Sequence, residues 1–343
     1  MDKRVIFAIA GSGKTSYILD NLELDKRSLI ITYTENNYLN LRERIIKKFE
    51  YLPDNISIYT YFNFLYSFCY KPFLHMKVRA KGYNWNTPPS WTMKLPRKTP
   101  KYFLDDSSHI YHNRLAKMLD VCGVYPKINQ RIEKYFDDFY VDEVQDFGGH
   151  DFNFLMNIAK IEKHVLFVGD FFQHTFDTSR DGNVNKNLYC DYDKYIKRFE
   201  DSGVNVDTKT LCKSWRCTPN ICNFVSTKLG IDMLSNCSDN GEIKIITDTK
   251  SIKEIIEDDS IIKLFYQGSN KYPIYSQNWG ESKGIDKYED VCIVLNKSTY
   301  KNFDELTFDK INPQTLNKLY VACTRARRNL IFISEEKVKE YKI

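Results

Sequence analysis

Short apolar runs rich in β-branched residues recur along the chain, and longer stretches of mixed polarity separate them. Runs of this length predict buried strands, and the stretches between them are long enough for helices. Strands that alternate with helices predict an α/β fold with mostly parallel sheets. The runs predicted as strands are 4–9, 28–33, 56–58, 139–141, 165–168, 243–246, 261–265, 291–295 and 330–333.

One stretch breaks this alternation. Residues 71–101 are rich in Pro, Lys and Arg, contain no acidic residue, and carry Trp85 and Trp91. Such a composition predicts an insertion or a long loop. The 343 residues fit two domains of ordinary size. We predict a first domain over 1–205, with a short basic and aromatic insertion at about 66–125, and a second domain over 206–343.

Composition adds little to this picture. The net charge is +5, with 50 basic and 45 acidic residues, which supports a nucleic-acid partner only weakly. The nine cysteines include no C-x-x-C pair, and Cys212, Cys217 and Cys222 lack a fourth ligand nearby, so we predict free thiols. An odd number of cysteines predicts a reducing compartment, here the cytoplasm. No apolar run approaches the roughly 18 residues of a membrane span, so no membrane partner is expected.

A glycine-rich loop near the start of the chain predicts a phosphate site. Residues 8–15 read A-I-A-G-S-G-K-T between a predicted strand and a predicted helix. Glycines let backbone N–H groups turn toward phosphate oxygens, and the helix that follows adds its dipole. The lysine of such a loop reaches the β and γ phosphates, and the threonine hydroxyl can bind Mg²⁺. The candidate nucleotide-binding residues here are Ala10, Gly11, Ser12, Gly13, Lys14 and Thr15.

Acidic and amide side chains follow two later strands. The strand at 139–141 is followed by Asp142 and Glu143, and the strand at 165–168 by Asp170 and Gln173. One carboxylate at a strand end can bind Mg²⁺ while its neighbour orients the attacking water. We therefore assign Asp142, with Thr15, to the metal and Glu143 to the water. Gln173 is expected to sense the γ-phosphate, because ligands bind at the carboxyl ends of parallel strands.

Eight segments, in order, resemble the UvrD/Rep group of superfamily 1 helicases. Five lie in the first part of the chain, namely the phosphate loop, 31–36 (I-T-Y-T-E-N), 60–64 (T-Y-F-N-F), 142–146 (D-E-V-Q-D) and 169–173 (G-D-F-F-Q). The other three are 211–216 (L-C-K-S-W-R), 280–286 (G-E-S-K-G-I-D) and 320–326 (Y-V-A-C-T-R-A). The resemblance implies two RecA-like domains with ATP in the cleft between them.

The resemblance also assigns residues in the second half of the chain. It implies that Arg216 and Arg325 are arginine fingers, which stabilise charge in the transition state. It further implies that Trp215 stacks on the base and that Gly284 and Asp286 lie at the nucleotide. None of residues 1–7 is the Gln by which the family recognises adenine, so loose nucleotide choice is expected.

The same resemblance implies contacts to a nucleic-acid strand. The segments at 31–36 and 60–64 correspond to those that touch single-stranded DNA in the family, and aromatic side chains can stack on bases. The resemblance gives Thr32, Tyr33, Thr60 and Phe62 as candidate DNA-binding residues. The basic and aromatic composition of the insertion adds Trp85 and Trp91; the alternative is a solvated loop with these two rings packed beneath it.

The leading hypothesis is an ATP-dependent translocase or helicase on single-stranded DNA, with RNA not excluded. The resemblance implies 3′-to-5′ movement. The family's first insertion is shortened here and its second is absent, so we expect poor separation of long duplexes without a protein partner. The alternative is an NTPase switch subunit that reports nucleic-acid or nucleotide state within a multi-protein complex. A small-molecule P-loop kinase fits less well, because it needs no paired arginines.

Overall fold

The structure is a computed structural model that describes residues 2–175, 179–304 and 311–343, without the side chains of 302–304. The chain divides into two compact units. The first contains Met1–Phe7, Lys14–Gly169 and Asp177–Asp207, and the second contains Ala8–Gly13, Asp170–Phe176 and Thr208–Ile343. Each unit is built on a parallel sheet, so the predicted α/β class is confirmed, and all of the apolar runs predicted as strands contain strands.

The first unit has a large parallel sheet. Among the described residues its strand order is β3-β2-β6-β7-β1-β8, with every neighbouring pair parallel. Strands β2 and β6 are buried along their whole length, which explains their continuous apolar character. The strands of this unit are β1 (Lys3–Phe7), β2 (Ser28–Thr32), β3 (Ile56–Thr60), β4 (Gly82–Asn84), β5 (His109–Tyr111), β6 (Asp138–Val141), β7 (His164–Gly169) and β8 (Asn205–Asp207).

Helices connect these strands, and side-chain caps fix several of their starts. The hydroxyl of Thr34 accepts the N–H of Asn37 at 3.2 Å, and the carboxylate of Asp191 accepts that of Lys194 at 3.1 Å. The helices of the unit are α1 (Lys14–Asp20), α2 (Glu35–Phe49), α3 (Tyr61–Asn63), α4 (Lys71–Val78), α5 (Pro100–Phe103), α6 (Leu115–Val121), α7 (Tyr125–Tyr135), α8 (Gly149–Ile158) and α9 (Tyr192–Glu200).

The region predicted as an insertion or a long loop is folded. A π-helix at Phe64–Tyr70 leads directly into α4, and β4 pairs with β5 in parallel. The fully buried Arg114 anchors the region, because its Nε donates to Asp181 at 3.1 Å. Burial by itself would raise the pKa of Asp181, but hydrogen bonds from His150 and Tyr102 and the charge of Arg114 lower it to about 2.

The second unit has its own parallel sheet. Among the described residues its order is β11-β15-β14-β12-β13, and β9 and β10 form a separate parallel pair. The strands are β9 (Lys213–Ser214), β10 (Leu234–Ser235), β11 (Ile243–Ile245), β12 (Ile262–Phe265), β13 (Ser276–Asn278), β14 (Asp290–Leu295) and β15 (Asn329–Ser334). The helices are α10 (Pro219–Leu229), α11 (Thr249–Glu257), α12 (Lys297–Asp304) and α13 (Pro313–Cys323).

All strands within each main sheet run the same way, so their carboxyl ends meet along one edge. In the first unit that edge carries the segments that follow β2, β3 and β6, where polar and aromatic candidate residues are found. In the part of the chain that the structure describes, no helix is both long enough and apolar enough to cross a bilayer.

Gly169 shows why this edge needs a residue without a side chain. A Cβ at this position would lie 2.4 Å from Oε1 of Gln145 and 2.8 Å from Cγ1 of Val144. The turn that follows β6 therefore packs directly on the backbone at the end of β7.

We predict that Gly169→Ala destabilises the protein by about 1–3 kcal/mol, because the added methyl group forces the turn at residues 144–146 to move. Gly123→Ala is the matched control, since nothing lies within 4 Å of the place its methyl group would occupy and only its positive φ of 67° opposes the change. Urea midpoints of both variants test this. Equal stability of Gly169→Ala and wild type would contradict the close approach.

Candidate nucleotide site and nucleic-acid face

The first half of the phosphate loop needs glycine for two reasons. Gly11 has a φ of 71°, in the left-handed region, and a Cβ there would lie 2.7 Å from both Cβ of Arg216 and Oγ of Ser214. The hydroxyl of Ser12 donates to the carbonyl of Ile9 at 2.8 Å and closes the turn. The loop thus adopts the turned conformation that directs backbone N–H groups toward an anion.

This half of the loop belongs to the second unit and is bound to other groups there. The N–H of Ile9 donates to the carbonyl of Leu211 at 3.1 Å, and the N–H of Trp215 donates to the carbonyl of Gly11 at 2.9 Å. The hydroxyl of Ser214 donates to the carbonyl of Ala10 at 2.9 Å. Ala10 is completely buried in the apolar core of this unit, so the path of the loop is fixed by both packing and hydrogen bonds.

The rest of the loop opens helix α1 in the first unit. Lys14 is mostly buried, and its Nζ lies 3.9 Å from Oε1 of Glu143. The hydroxyl of Thr15 donates to Oδ2 of Asp142 at 3.3 Å. The structure therefore brings together the four residues predicted to act on phosphate, metal and water.

Two carboxylates meet at the end of β6. Burial, and next the charge of Glu143, raise the pKa of Asp142 to about 7, although Lys14 opposes the rise. Glu143 has a φ of 55° and a ψ of 50°, a left-handed conformation that non-glycine residues adopt at a cost. The amide of Gln145 donates to Oε2 of Glu143 and holds the side chain. Strained backbone and a raised carboxyl pKa at one strand end are typical of a functional site.

The donor set fits Mg²⁺. Mg²⁺ prefers oxygen ligands, and proteins commonly bind it through one or two carboxylates together with substrate phosphates. The buried carboxylate of Asp142 and the hydroxyl of Thr15 supply oxygen donors of this kind. Among the described residues there is no group of three or more His, Cys, Asp or Glu that could hold a metal ion.

Gln173 lies in a buried hydrogen-bond network of the second unit. Its Nε2 donates to Oδ2 of Asp170 at 2.9 Å, and the hydroxyl of Tyr320 donates to the same oxygen at 2.8 Å. The Tyr320 oxygen also accepts the N–H of Ala10 at 2.8 Å. The predicted γ-phosphate sensor is therefore connected to the phosphate loop through two other side chains.

The two predicted arginine fingers lie side by side in the second unit. Burial, and next the charge of Arg216, lower the pKa of Arg325 to about 10. Arg325 donates to the carbonyls of Val321 and Ile285 at 3.1 and 3.0 Å. Arg216 pairs with Asp286 and donates to the carbonyl of Thr324 at 3.1 Å. Both guanidinium groups are held in fixed directions.

The other predicted nucleotide contacts differ in their exposure. Trp215 is 70% exposed, so a large apolar surface is open to solvent. Gly284 is exposed with a φ of 81°. Burial would raise the pKa of Asp286, but its hydrogen bond and charge interaction with Arg216 lower it, so this carboxylate is ionised against an arginine.

Three of the predicted strand-contacting aromatics lie together in the first unit. The ring of Phe62 lies 5.5 Å from that of Tyr33 and 4.9 Å from that of Trp85, between centroids. His112 stacks on Trp85 at 5.4 Å. We call Tyr33, Phe62, Trp85 and His112 the aromatic face. It lies beyond the carboxyl ends of β2 and β3.

The remaining predicted strand contacts lie elsewhere. Thr32 is fully buried inside β2, so its side chain is not open to a strand in this conformation. Thr60 is half-buried at the end of β3. Trp91 is 55% exposed, in a short 3₁₀ turn at Ser90–Lys94. The sequence pattern did not distinguish these environments, because the burial of each side chain depends on its neighbours in the tertiary structure, such as β3 and β6 on the two sides of β2.

A basic concavity lies near the aromatic face. It has a volume of about 610 Å³. Aromatic contact is continuous between the two, since Tyr83 lies 5.7 Å from Phe62 and 5.5 Å from Tyr66. We call this concavity the basic pocket; its lining includes Tyr66, Lys71, His75, Met76, Arg79 and Lys81.

Comparisons with known proteins bear on the family and the fold of the chain. A model of the viral superfamily 1 RNA helicase core domain matches residues 125–334, more than half of the chain. Two structures of arterivirus nonstructural protein 10, a helicase, align over 99% of this chain with TM-scores of 0.51 at 12% and 11% identity, the first of them in complex with DNA. A PRRSV helicase aligns over the same share with a TM-score of 0.49 at 14% identity. The chain spans between 54% and 63% of the length of these structures. No curated protein shows significant sequence similarity.

The family model and the fold place the chain in the class of superfamily 1 helicase cores. Within that class the chain belongs to the viral superfamily 1 RNA helicase core domain family.

Sequence reasoning missed two residues of the site. Tyr320 and Ser214 both contact Ala10, yet neither was singled out. Each lies within a matched segment, 320–326 or 211–216, and this was the available signal. Their importance depends on contacts that are remote in sequence, which a local pattern does not contain.

We predict that Glu143→Gln binds ATP but hydrolyses it about 10²–10⁴-fold more slowly, since the amide cannot accept a proton from the attacking water. Lys14→Ala should lose hydrolysis too. It should also bind ATP more weakly, because it removes the positive charge that is expected to bind the β and γ phosphates. Turnover and equilibrium binding of a fluorescent ATP analogue measure the two effects.

Glu162→Gln provides the control, because Glu162 is an exposed acid of the same unit. It should behave as wild type. Hydrolysis by Glu143→Gln at the wild-type rate would show that another group orients the water.

Proposed function

We propose that the chain is the motor core of an ATP-dependent translocase on single-stranded nucleic acid. The observation that supports this best is the position of the aromatic face beyond the carboxyl ends of strands β2 and β3. Strand β6 of the same sheet is followed directly by Asp142 and Glu143. ATP hydrolysis and strand binding would then both take place along one edge of the sheet, at the carboxyl ends of β6, β2 and β3. We retain 1–205 and 206–343 as the proposed domains, with the insertion at about 66–125.

In the proposed reaction the phosphate loop binds the triphosphate and Lys14 neutralises its charge. Thr15 and Asp142 hold Mg²⁺, which would offset charge on the phosphates. Glu143 orients and deprotonates the attacking water, and its hydrogen bond from Gln145 restrains its direction. Because burial and Glu143 raise the pKa of Asp142 to about 7, metal binding should weaken below neutral pH, where Asp142 is protonated.

The arginines are proposed to act on the transferred phosphate. Arg216 and Arg325 are close enough to lower the pKa of Arg325 by repulsion, and an anion beside them would relieve that repulsion. Cations that are held in place stabilise transition-state charge without reorganisation. Trp215, Gly284 and Asp286 are proposed to contact the base and ribose, with Trp215 offering an exposed stacking surface.

The proposed strand track begins at the aromatic face and leads toward the basic pocket. Rings stack on bases regardless of sequence, and cations along the track bind the backbone. Tyr83 and Tyr66 connect the two features, and Lys77, Arg79 and Lys81 are exposed beside the pocket. Thr60 borders the track, and the exposed Trp91 would contact the strand further along the insertion.

The chemistry of the strand distinguishes two versions of the proposal. The resemblance to the UvrD/Rep group favours single-stranded DNA and 3′-to-5′ movement, whereas the matching family model is one of viral RNA helicases. Stacking and phosphate contacts accept both backbones. A partner protein that holds the duplex would allow the chain to separate long duplexes. The cytoplasm remains the proposed compartment.

The test compares ATP hydrolysis without a strand, with single-stranded DNA and with single-stranded RNA, followed by translocation assays in both directions. We expect strand-stimulated hydrolysis, and Phe62→Ala and Trp85→Ala should each lose about 1–3 kcal/mol of strand binding. Tyr51→Ala is the control, because Tyr51 is an exposed aromatic before the amino end of β3. If no strand stimulates wild type, the switch hypothesis replaces translocation.

Neutralising Lys77, Arg79 and Lys81 to Gln should weaken strand binding and flatten its salt dependence. Each lost phosphate contact lowers the slope of log K against log salt by about 0.7 for single strands. The charge-matched control is Gln at Lys186, Lys194 and Lys197, three exposed lysines of the same unit. Equal slopes for the two triple variants would exclude the basic pocket from the track.

A further inference from the structure

The hydroxyl of Tyr320 occupies a central position that the proposed roles do not explain. Its oxygen accepts the N–H of Ala10 at 2.8 Å, and its proton is donated to Oδ2 of Asp170 at 2.8 Å. The side chain is completely buried. Burial, and next the charge of Asp170, hold its pKa well above the usual value for tyrosine, so the hydroxyl keeps its proton. The direction of both hydrogen bonds is therefore fixed.

Asp170 connects this hydroxyl to Gln173. Oδ2 of Asp170 accepts Nε2 of Gln173 at 2.9 Å, and Oδ1 accepts the N–H of Phe172 at 3.1 Å. Asp170 has no solvent exposure, and Gln173 is nearly buried. The amide of Gln173 and the backbone of Ala10 are thus held at a set separation by one hydroxyl and one carboxylate, all within the second unit.

We propose that Tyr320 is a positioning residue for ATP hydrolysis, which sets where the amide of Gln173 lies relative to the phosphate loop. This inference rests on the proposed role of Gln173 at the γ-phosphate. Ala10 directly precedes Gly11, where the loop turns, so a shift at Ala10 moves the groups that hold the triphosphate. Tyr320 remains bonded to Asp170 whichever way Gln173 turns, and therefore keeps the carboxylate in place when Gln173 engages the nucleotide.

The tyrosine ring and its hydroxyl have separable functions. The ring packs in the core of the second unit, with Phe172 at 6.0 Å between centroids. Phenylalanine would keep this packing and remove only the link between Ala10 and Asp170. In Tyr320→Phe the buried N–H of Ala10 loses its acceptor, which is costly. The backbone of the phosphate loop is then expected to move so that this N–H finds another partner. Misplacement by about 1 Å can cost 10²-fold in rate.

The test measures kcat and KM for ATP in Tyr320→Phe without any strand. We expect kcat to fall ten- to a hundredfold while KM changes less than about threefold, because positioning acts mainly in the transition state. Tyr272→Phe is the matched control. It lies in the other apolar cluster of the same unit, and its hydroxyl donates to Glu335 at 3.5 Å. It should keep the wild-type kcat.

A double-mutant cycle with Gln173→Ala separates positioning from general destabilisation. If Tyr320 acts through Gln173, the double variant should be no slower than the slower single variant, within about threefold. Multiplied losses, or an increase in KM at unchanged kcat, would overturn the proposal. If Tyr320→Phe does not fold, Asp170→Asn is measured as a single variant, because it weakens the acceptor of the Tyr320 proton. An unchanged kcat would then overturn the proposal.

Failure of this inference and failure of the proposed function give different results. The cycle uses hydrolysis without a strand, whereas translocation requires strand stimulation of wild type. If no strand stimulates ATP hydrolysis by wild type but the cycle is non-additive, the translocase proposal is wrong and the positioning role of Tyr320 stands. If a strand stimulates hydrolysis by wild type but the losses in the cycle multiply, the translocase proposal stands and the role of Tyr320 is wrong.

Discussion

The structure of the site depends on how Ile9, Ala10 and Gly11 are held within the second unit, where Ile9 and Ala10 are buried in the apolar core and the carbonyl of Gly11 accepts the N–H of Trp215. A phosphate loop exposes backbone N–H groups to bind an anion, so its carbonyls and remaining N–H groups must find partners elsewhere. Here Leu211, Ser214, Trp215 and Tyr320 supply them. A Cβ at Gly11 would lie 2.7 Å from both Oγ of Ser214 and Cβ of Arg216, so the loop packs closely beside a predicted arginine finger.

Charge is the second constraint on the site. The carboxylates of Asp142 and Glu143 lie at one strand end, and Lys14 and the hydroxyl of Thr15 are their partners in this structure. The raised pKa of Asp142 shows that these partners do not fully offset burial and repulsion. A bound cation would offset the remaining negative charge of the two carboxylates. The burial and repulsion that destabilise them without a cation would therefore favour binding of a metal–nucleotide complex.

The first unit combines this chemistry with surfaces of a different kind. The insertion carries Trp85 and His112 to Phe62, which follows β3, and so builds one aromatic face from three separate stretches of chain. The buried pair of Arg114 and Asp181 holds the insertion in position. A buried ion pair is costly to break by removing one partner, so this pair fixes geometry more than it adds stability.

The sequence alone determined the α/β class and the strands, and it predicted a phosphate loop and a metal-binding strand end. These follow from local rules, because strand and helix periods, turn glycines and strand-end carboxylates are properties of a few consecutive residues. It also predicted that Tyr33, Phe62 and Trp85 contact a strand, but not that these three rings lie together. Nor did it predict that Thr32 is buried or that Trp91 lies apart from them. Only the tertiary structure decided that the insertion is folded and that Asp286 pairs with Arg216. It also decided that Tyr320 joins Ala10 to Asp170. Those contacts join residues far apart in sequence, and their partners are chosen by how sheets and helices pack.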